Sequence, residues 1–375
     1  MDMDLTSEQE LLADSVRRTC ARHAGLDVVR KVENDPVGYP SSLWEQLAEL
    51  GVLGLTIPEE HGGSGMTMLD AALVYAELGR ALAPTPHLVS CVLAAGVLQR
   101  AAAPEVQAQW LPRLASGESV LSVAWLEPGG GYADAGITST LSRDRDGWRL
   151  TGRKQHVAFA RAADALLTIA RGPDGLALAL VSPTAAGVTL EQQLTVAGDT
   201  QYAVTFDDVT LSAADVFAAG EAWAVWNDAM LDVAILAAAQ AVGGTRAALD
   251  LTVDYAQKRE QFDRPLGAFQ AIAHYLADAT TAVDGAETLV WEAAWSRAQG
   301  RPVDKLAPMA KLYACRTFRD VTAMAQQVFG GNGFTVDFDI QLYFRRAKSL
   351  QLNWWDDRHL EQLIAAQVLE VSATR

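Results

Sequence analysis

Cysteine is scarce in this chain, and the scarcity closes several routes at once. Three cysteines among 375 residues, Cys20, Cys91 and Cys315, lie scattered with no CxxC pair. They support neither a disulfide framework nor a metal site, and they suit a reducing compartment. Positive charge is also short: 30 Lys and Arg stand against 46 Asp and Glu, a formal net charge of −16. That balance argues against nucleic acid and anionic membranes as partners, and an anionic cofactor would need a local cationic site. No clean membrane span is present. The most apolar segment, 230–251, contains Asp232, Gly243, Gly244 and Arg246, so a buried bundle helix is expected there. The first residues are acidic and polar, unlike a secretion signal, and no repeat of 20–50 residues recurs. A soluble cytoplasmic protein is expected.

What is present divides by periodicity. The length asks for two or three domains, and half the residues are apolar, so burial is not limiting. Thr6 or Ser7 with Glu8 and Glu10 opens a helix, Ser41 caps another, and helical patterns run over 69–82, 87–100 and 104–114. Near Ser119 the period changes to short alternating or β-branched runs: 137–143, 148–152, 165–170, 176–182, 204–206 and 209–211. Asp146-Gly147 and Gly172-Pro173-Asp174-Gly175 sit at the turns. This predicts a small antiparallel β-domain of hairpins. Helical pattern then returns over 223–259, 269–299, 306–329 and 360–369, as an Ala-rich bundle. The division is 1–118 helical, 119–218 β, 219–375 helical.

Two stretches carry unusual chemistry. In 255–278, YAQKREQFDRPLGAFQAIAHYLAD, Pro265 and Gly267 interrupt two helices. Arg259, Gln261, Phe262, Phe269 and Gln270 bring a cation, amides and aromatic faces to the break, which suits a nucleotide with phosphates and a flat base as well as an ordinary interhelical corner. The second stretch, Gln327-Val-Phe-Gly330-Gly331-Asn332-Gly333-Phe334, follows a helix instead of opening one. It is not a dinucleotide fingerprint. Its glycines suit a helix stop or bare amides beside a pyrophosphate.

Together these motifs make the chain resemble the acyl-CoA dehydrogenase family over essentially its whole length. Further matches are LAELGVLGLTIPEEHGG from Leu47, the run Trp125-Leu126-Glu127-Pro128, and TGRK, expected as a turn, at 151–154. The resemblance implies a mainly α fold with a central β-domain: an N-terminal helical domain, a β-barrel and a C-terminal four-helix bundle. It also implies FAD, an acyl-thioester substrate carried on CoA or a carrier protein, an electron-transfer flavoprotein or similar acceptor, and a homo- or hetero-tetramer. By the same resemblance Arg259, Phe262, Gln270 and Gln327 meet the ADP half of FAD. Gly330, Gly331 and Gly333 meet its pyrophosphate. Trp125, Leu126, His156, Val157 and Ala158 lie on the flavin-facing side of the β-domain.

The departures gather at the reacting end. The family's base is a glutamate about twenty residues past the glycine block. That loop here reads Leu350-Gln-Leu-Asn353-Trp354-Trp355-Asp356-Asp357, with tryptophan at the glutamate position. Asp356 is the first candidate base, although either aspartate also suits a cap ahead of Leu360. Asp232, one residue from a position that carries the base in some relatives, is the second; a surface turn is its bland alternative. Ala234 replaces an arginine, and Ala158 replaces a hydroxyl near the flavin, which alters redox tuning more than binding. His156 suits stacking, proton acceptance or plain packing. Three functions are open: an α,β-desaturase, a catalytically incomplete partner subunit of a heteromeric enzyme, and a flavin monooxygenase or redox-neutral enzyme on the same fold.

Overall fold

The computed structural model describes residues 5–145 and 147–373. Asp146, expected in a hairpin turn, and the acidic Asp2 and Asp4 lie outside the described residues. Thr6 opens α1 (Ser7–His23) with a reciprocal capping box: its hydroxyl accepts from the Gln9 N–H, and the Gln9 side chain accepts from the Thr6 N–H. Then come α2 (Leu26–Lys31), α3 (Ser41–Glu49), α4 (Met68–Arg80), α5 (Ala95–Ala101) and α6 (Pro104–Ala115). The cap expected from Ser41 is absent; Pro40 stands there and no side chain bonds the helix end.

Among the described residues, eight strands form one sheet: β1 (Leu121–Ala124), β2 (Thr140–Asp144), β3 (Gly147–Ala158), β4 (Ala165–Gly172), β5 (Gly175–Val181), β6 (Val188–Gln193), β7 (Gln201–Ser212) and β8 (Val216–Phe217). Their order is β6-β7-β3-β2-β4-β5-β8, with β1 on β4. The sheet is not antiparallel throughout. β1 runs parallel to β4, with Leu121 opposite Ala165. Asp164 sets that register by donating its N–H to Val120 O and accepting the Val120 N–H on its carboxylate. The runs 204–206 and 209–211 belong to the single strand β7. TGRK is the interior of β3 and not a turn. Gly152 serves close packing there, since a Cβ would lie 2.1 Å from Ser139 Oγ. Leu150, Val157, Leu166, Ala179, Val204 and Phe206 fill the core of this sheet.

The remaining elements are α7 (Ala222–Lys258), the short hairpin β9 (Glu260–Gln261) and β10 (Arg264–Pro265), α8 (Gln270–Ala298), α9 (Leu306–Phe329), α10 (Ile340–Leu352) and α11 (Asp357–Ala373). By length and composition α7 would cross a bilayer, but 67% of its apolar window is buried inside the protein. Its apolarity serves packing. Where α4 crosses it, a Cβ on Gly243 would fall 1.8 Å from Ala76 O, and one on Gly79 2.0 Å from Gln240 O. Helix α10 was not expected, because its buried stripe ends on polar Gln341 and Gln351 and three cations interrupt it. The chain forms two compact units. The first comprises Met1–Val29, Thr67–Ala83 and Ala234–Arg375; the second comprises Arg30–Met66 and Pro84–Val233.

Candidate functional site

The break between α7 and α8 is a β-hairpin in miniature. Arg264 pairs with Gln261 and Pro265 with Glu260, leaving Phe262 and Asp263 as a two-residue turn. Both have positive φ, 56° and 63°. Such a turn normally takes Asn-Gly, so a phenylalanine here carries backbone strain. The ring is not buried in exchange: Phe262 is 86% exposed. It meets Phe269 edge-on at 6.2 Å, and the Arg264 guanidinium lies 4.0 Å from the Phe269 centroid. Gln270 starts α8, and both Gln270 and Arg259 are exposed. A cleft of about 570 Å³ opens beside this hinge, lined in part by Ala256, Gln257, Pro265 and Leu276.

Tyr255, one turn before Arg259, ties this corner to the glycine block. Its ring stacks on Phe329 at 4.1 Å, and its hydroxyl accepts from Asn332 Nδ2 at 3.1 Å. Helix α9 ends at Phe329 because Gly330 turns to φ 61°, ψ −135°, a conformation that glycine alone adopts without strain. The three glycines separate by role. A Cβ on Gly330 or Gly331 would meet nothing within 4 Å, so bare backbone faces open space. On Gly333 it would strike Gln326 O at 2.7 Å. Gly333 is a packing glycine. Gln327 is exposed on the last turn of α9.

The loop after α10 is built differently. Trp354 and Trp355 both have positive φ, 55° and 73°, and Trp355 is only 2% exposed. Asp356 caps α11: its Oδ1 accepts the His359 N–H at 2.9 Å. Asp357 Oδ2 accepts from Arg316 Nε and Gln351 Nε2, each at 2.8 Å. Beneath the loop lies Lys311, with no exposure, donating Nζ–H to the carbonyls of Trp355 (2.9 Å) and Leu350 (3.2 Å). Burial holds its ammonium below the usual lysine range, against the pull of Cys315, Asp357 and Asp356. Sequence reading missed Lys311. The available signal was a lone cation on the stripe of Ala307, Ala314 and Phe318 on α9.

In the second unit, β1 leads into Trp125 and Leu126. The Gln155 N–H donates to Leu126 O at 2.8 Å, and Lys154 Nζ donates to Ile169 O at 2.6 Å and Glu127 Oε1 at 2.7 Å. Burial by itself would raise the Glu127 carboxyl, but Lys154 and donors from Thr138 and Ser139 bring it down to about 2. Burial lowers the Lys154 ammonium to about 8, with Glu127 opposing. This buried pair braces the 125–127 segment against β3. Trp125 is itself buried, 5.3 Å from Trp226 and 5.8 Å from Tyr132 between ring centroids. Between Lys154 and Val157 the β3–β7 register slips, and the exposed His156 sits in this bulge with φ 56°. The side chain of Val157 belongs to the core; Ala158 is half-buried, and its carbonyl accepts from Ser122 Oγ. Asp232, also in this unit, accepts from Arg100 Nη2 at 2.6 Å and is 7% exposed. The structure thus gathers Trp125, Leu126 and His156 in one unit, and the hinge with the glycine block in the other.

Acyl-CoA dehydrogenase N-terminal, middle and C-terminal domains match residues 6–118, 122–209 and 220–353. The acyl-CoA dehydrogenase FadE27 of Mycobacterium tuberculosis is 33% identical over 84% of this chain and 84% of its own length. Among solved structures, the ChsE4–ChsE5 complex of Mycobacterium tuberculosis superposes with a TM-score of 0.90 at 28% identity, covering 99% of each chain. A variant of the Tcur3481–Tcur3483 steroid ACAD gives 0.87 at 31% identity, covering 98% of this chain and 99% of that one. With helices, sheet and helices in the same order and full-length coverage on both sides, this chain belongs to the acyl-CoA dehydrogenase family, whose members are oxidoreductases.

Proposed function

We propose that this chain is an FAD-dependent acyl-thioester dehydrogenase that introduces an α,β double bond and passes the electrons to an electron-transfer flavoprotein or a similar acceptor. The observation that carries the cofactor half is the open backbone at Gly330 and Gly331, tied through Tyr255 to the helix end bearing Arg259. Those residues fit the group: bare amides suit a pyrophosphate, and exposed arginine offsets a −16 chain where an anion must bind. Phe262, Gln270 and Gln327 complete the ADP side. Trp125, Leu126, His156 and Ala158 take the ring side, with Val157 contributing backbone. FAD, when bound, supplies the acceptor for the two electrons that leave with the β-hydride. The chain must supply a base for the α-proton, and Asp356 is our first candidate because its cap uses one oxygen only. Asp232 is the second, with its carboxylate on Arg100. Residues 1–118, 119–218 and 219–375 are its three domains, in a cytoplasmic tetramer.

The test is spectroscopic. The purified chain should be yellow, and anaerobic acyl-CoA should bleach it; a chain that stays colourless with added FAD sinks this reading for the isolated subunit. Asp356→Asn separates the two roles of that residue, because asparagine keeps the cap but cannot accept the proton. Bleaching should slow by about 10²–10⁴-fold with the melting temperature held. Bleaching at the wild-type rate removes Asp356 as the base.

A second reading is favoured by the loop itself. Tryptophan fills the expected base position, and both candidate carboxylates already hold partners. The chain would then be the catalytically incomplete subunit of a heteromeric enzyme, completing flavin sites with a paralogue. The paired names of the ChsE4–ChsE5 and Tcur3481–Tcur3483 structures support that arrangement. It requires flavin to be retained after co-expression with the paralogue and lost from the chain alone.

A further inference from the structure

His156 is fixed more tightly than an exposed histidine needs to be. Its backbone N–H donates to Gln193 Oε1 at 3.2 Å, and its ring Nδ1 lies 3.0 Å from Gln201 Oε1. The orientation of the Gln201 amide is not arbitrary. Its Nε2 donates to Asp199 Oδ2 at 2.6 Å, and an ionised carboxylate only accepts, so it can face the amide N–H but not the amide oxygen. Asp199 is anchored in turn by Thr195 Oγ1 on its other oxygen. Gln201 is 5% exposed, so the amide cannot reverse without turning its buried carbonyl oxygen onto the Asp199 carboxylate, one acceptor against another. The oxygen therefore faces His156, and Nδ1 must carry the proton.

We propose that the Thr195–Asp199–Gln201 chain of hydrogen bonds locks His156 in the Nδ1–H tautomer, so that Nε2 presents a lone pair to an N–H or O–H of the bound ligand. In a neutral imidazole, one ring nitrogen locked as donor makes the other an acceptor by necessity. The strained backbone and the bulge hold the ring out from the sheet, where it is exposed. The ligand half rests on the reading of the 125–126 and 156–158 segments as the flavin-facing side. Two sources share the required chemistry: the ring imide N–H of a flavin and a hydroxyl on an acyl thioester.

The test uses the full chain with its six histidines labelled with nitrogen-15, and His156→Gln for assignment. Proton–nitrogen correlation in the free chain should show His156 protonated at Nδ1 and bare at Nε2. The reverse tautomer, or a mixture, overturns the lock without any variant having to fold. Gln201→Leu should release it, populating the Nε2–H form. In the ligand arms, FAD alone should move the Nε2 signal and leave Nδ1 in place if the donor is the flavin. A move only with a hydroxyacyl-CoA, and not with the acyl-CoA lacking the hydroxyl, assigns the donor to the substrate. No move in either arm overturns the ligand contact. Flavin retention is read separately by visible absorbance, so failure of the FAD reading is distinguished from failure of the tautomer. Where FAD is the donor, Gln201→Leu should weaken its binding about tenfold, the loss of one well-aligned hydrogen bond.

Discussion

The hinge at 259–270 and the loop at 350–357 belong to one compact unit, and both force bulky residues to positive φ. They do opposite things with the strain. At the hinge Phe262 is thrust into solvent, beside exposed Arg259 and Gln270. In the loop Trp355 is pressed into the interior, over the buried Lys311 that holds its carbonyl. Strain with exposure has no packing return, so it points to a ligand. Strain with burial is repaid by the contacts of the indole itself. The corner proposed for the nucleotide is open, whereas the corner proposed for the chemistry is filled.

The largest effect that can break this contrast is Trp355→Ala. If the loop is held by burial, chemical denaturation should show a loss of about 3–5 kcal/mol, the usual cost of emptying an aromatic core site. Less than about 1 kcal/mol would place Trp355 with Phe262 as a residue held for binding. Next is Lys311→Met, which keeps the volume but leaves the buried Trp355 carbonyl without its donor and the Leu350 carbonyl with only the weak Cys315 thiol; about 2 kcal/mol should be lost. The pH dependence sharpens it. Because burial depresses the Lys311 ammonium, the unfolded chain binds the extra proton below the free-lysine value. Stability contributed by this group therefore grows as pH rises toward about 10 and falls as pH drops, and the variant should lack that slope.

Phe262→Asn is the matching change at the hinge, with the sign reversed. Asparagine tolerates positive φ, so the variant should gain about 0.5–1 kcal/mol of stability while holding FAD about tenfold less tightly, as equilibrium dialysis would show. A variant that is both stable and unchanged in FAD affinity would remove the ligand reading of the exposed ring. The smallest stability effect is expected at Gly331→Ala. With nothing within 4 Å of the new methyl, the unfolding midpoint should move by less than about 0.5 kcal/mol, whereas FAD retention falls because the methyl occupies the open face. Gly333→Ala should behave oppositely, destabilising through Gln326.

Periodicity made most of the fold legible. Helix α9 has the expected bounds, and α7 and α8 are each within one residue of theirs at both ends. Errors arose where a local signal had two physical meanings. Gly152 in TGRK reads as a turn residue, yet it is a strand residue placed against Ser139. Gln341 and Gln351 on the buried stripe of α10 hid a helix. At the candidate site, the hinge residues and the glycine block stood out in the sequence as stretches of unusual chemistry. The difference between Gly331 and Gly333 was not, because both are glycines and only their neighbours separate them.

By itself the sequence determined the order of helices, sheet and helices, the family, and the residue types available to meet a flavin nucleotide. The order follows from spacing and composition, which act along the chain, and the family from the resemblance of its motifs. Only the tertiary structure decided which charges have partners: Asp232 on Arg100, Lys154 on Glu127, and Lys311 under the tryptophan loop. It likewise decided that the His156 ring faces an amide oxygen and not an amide nitrogen. Such pairings join residues far apart in sequence, and a carboxylate or an imidazole takes its chemistry from whatever the fold places against it.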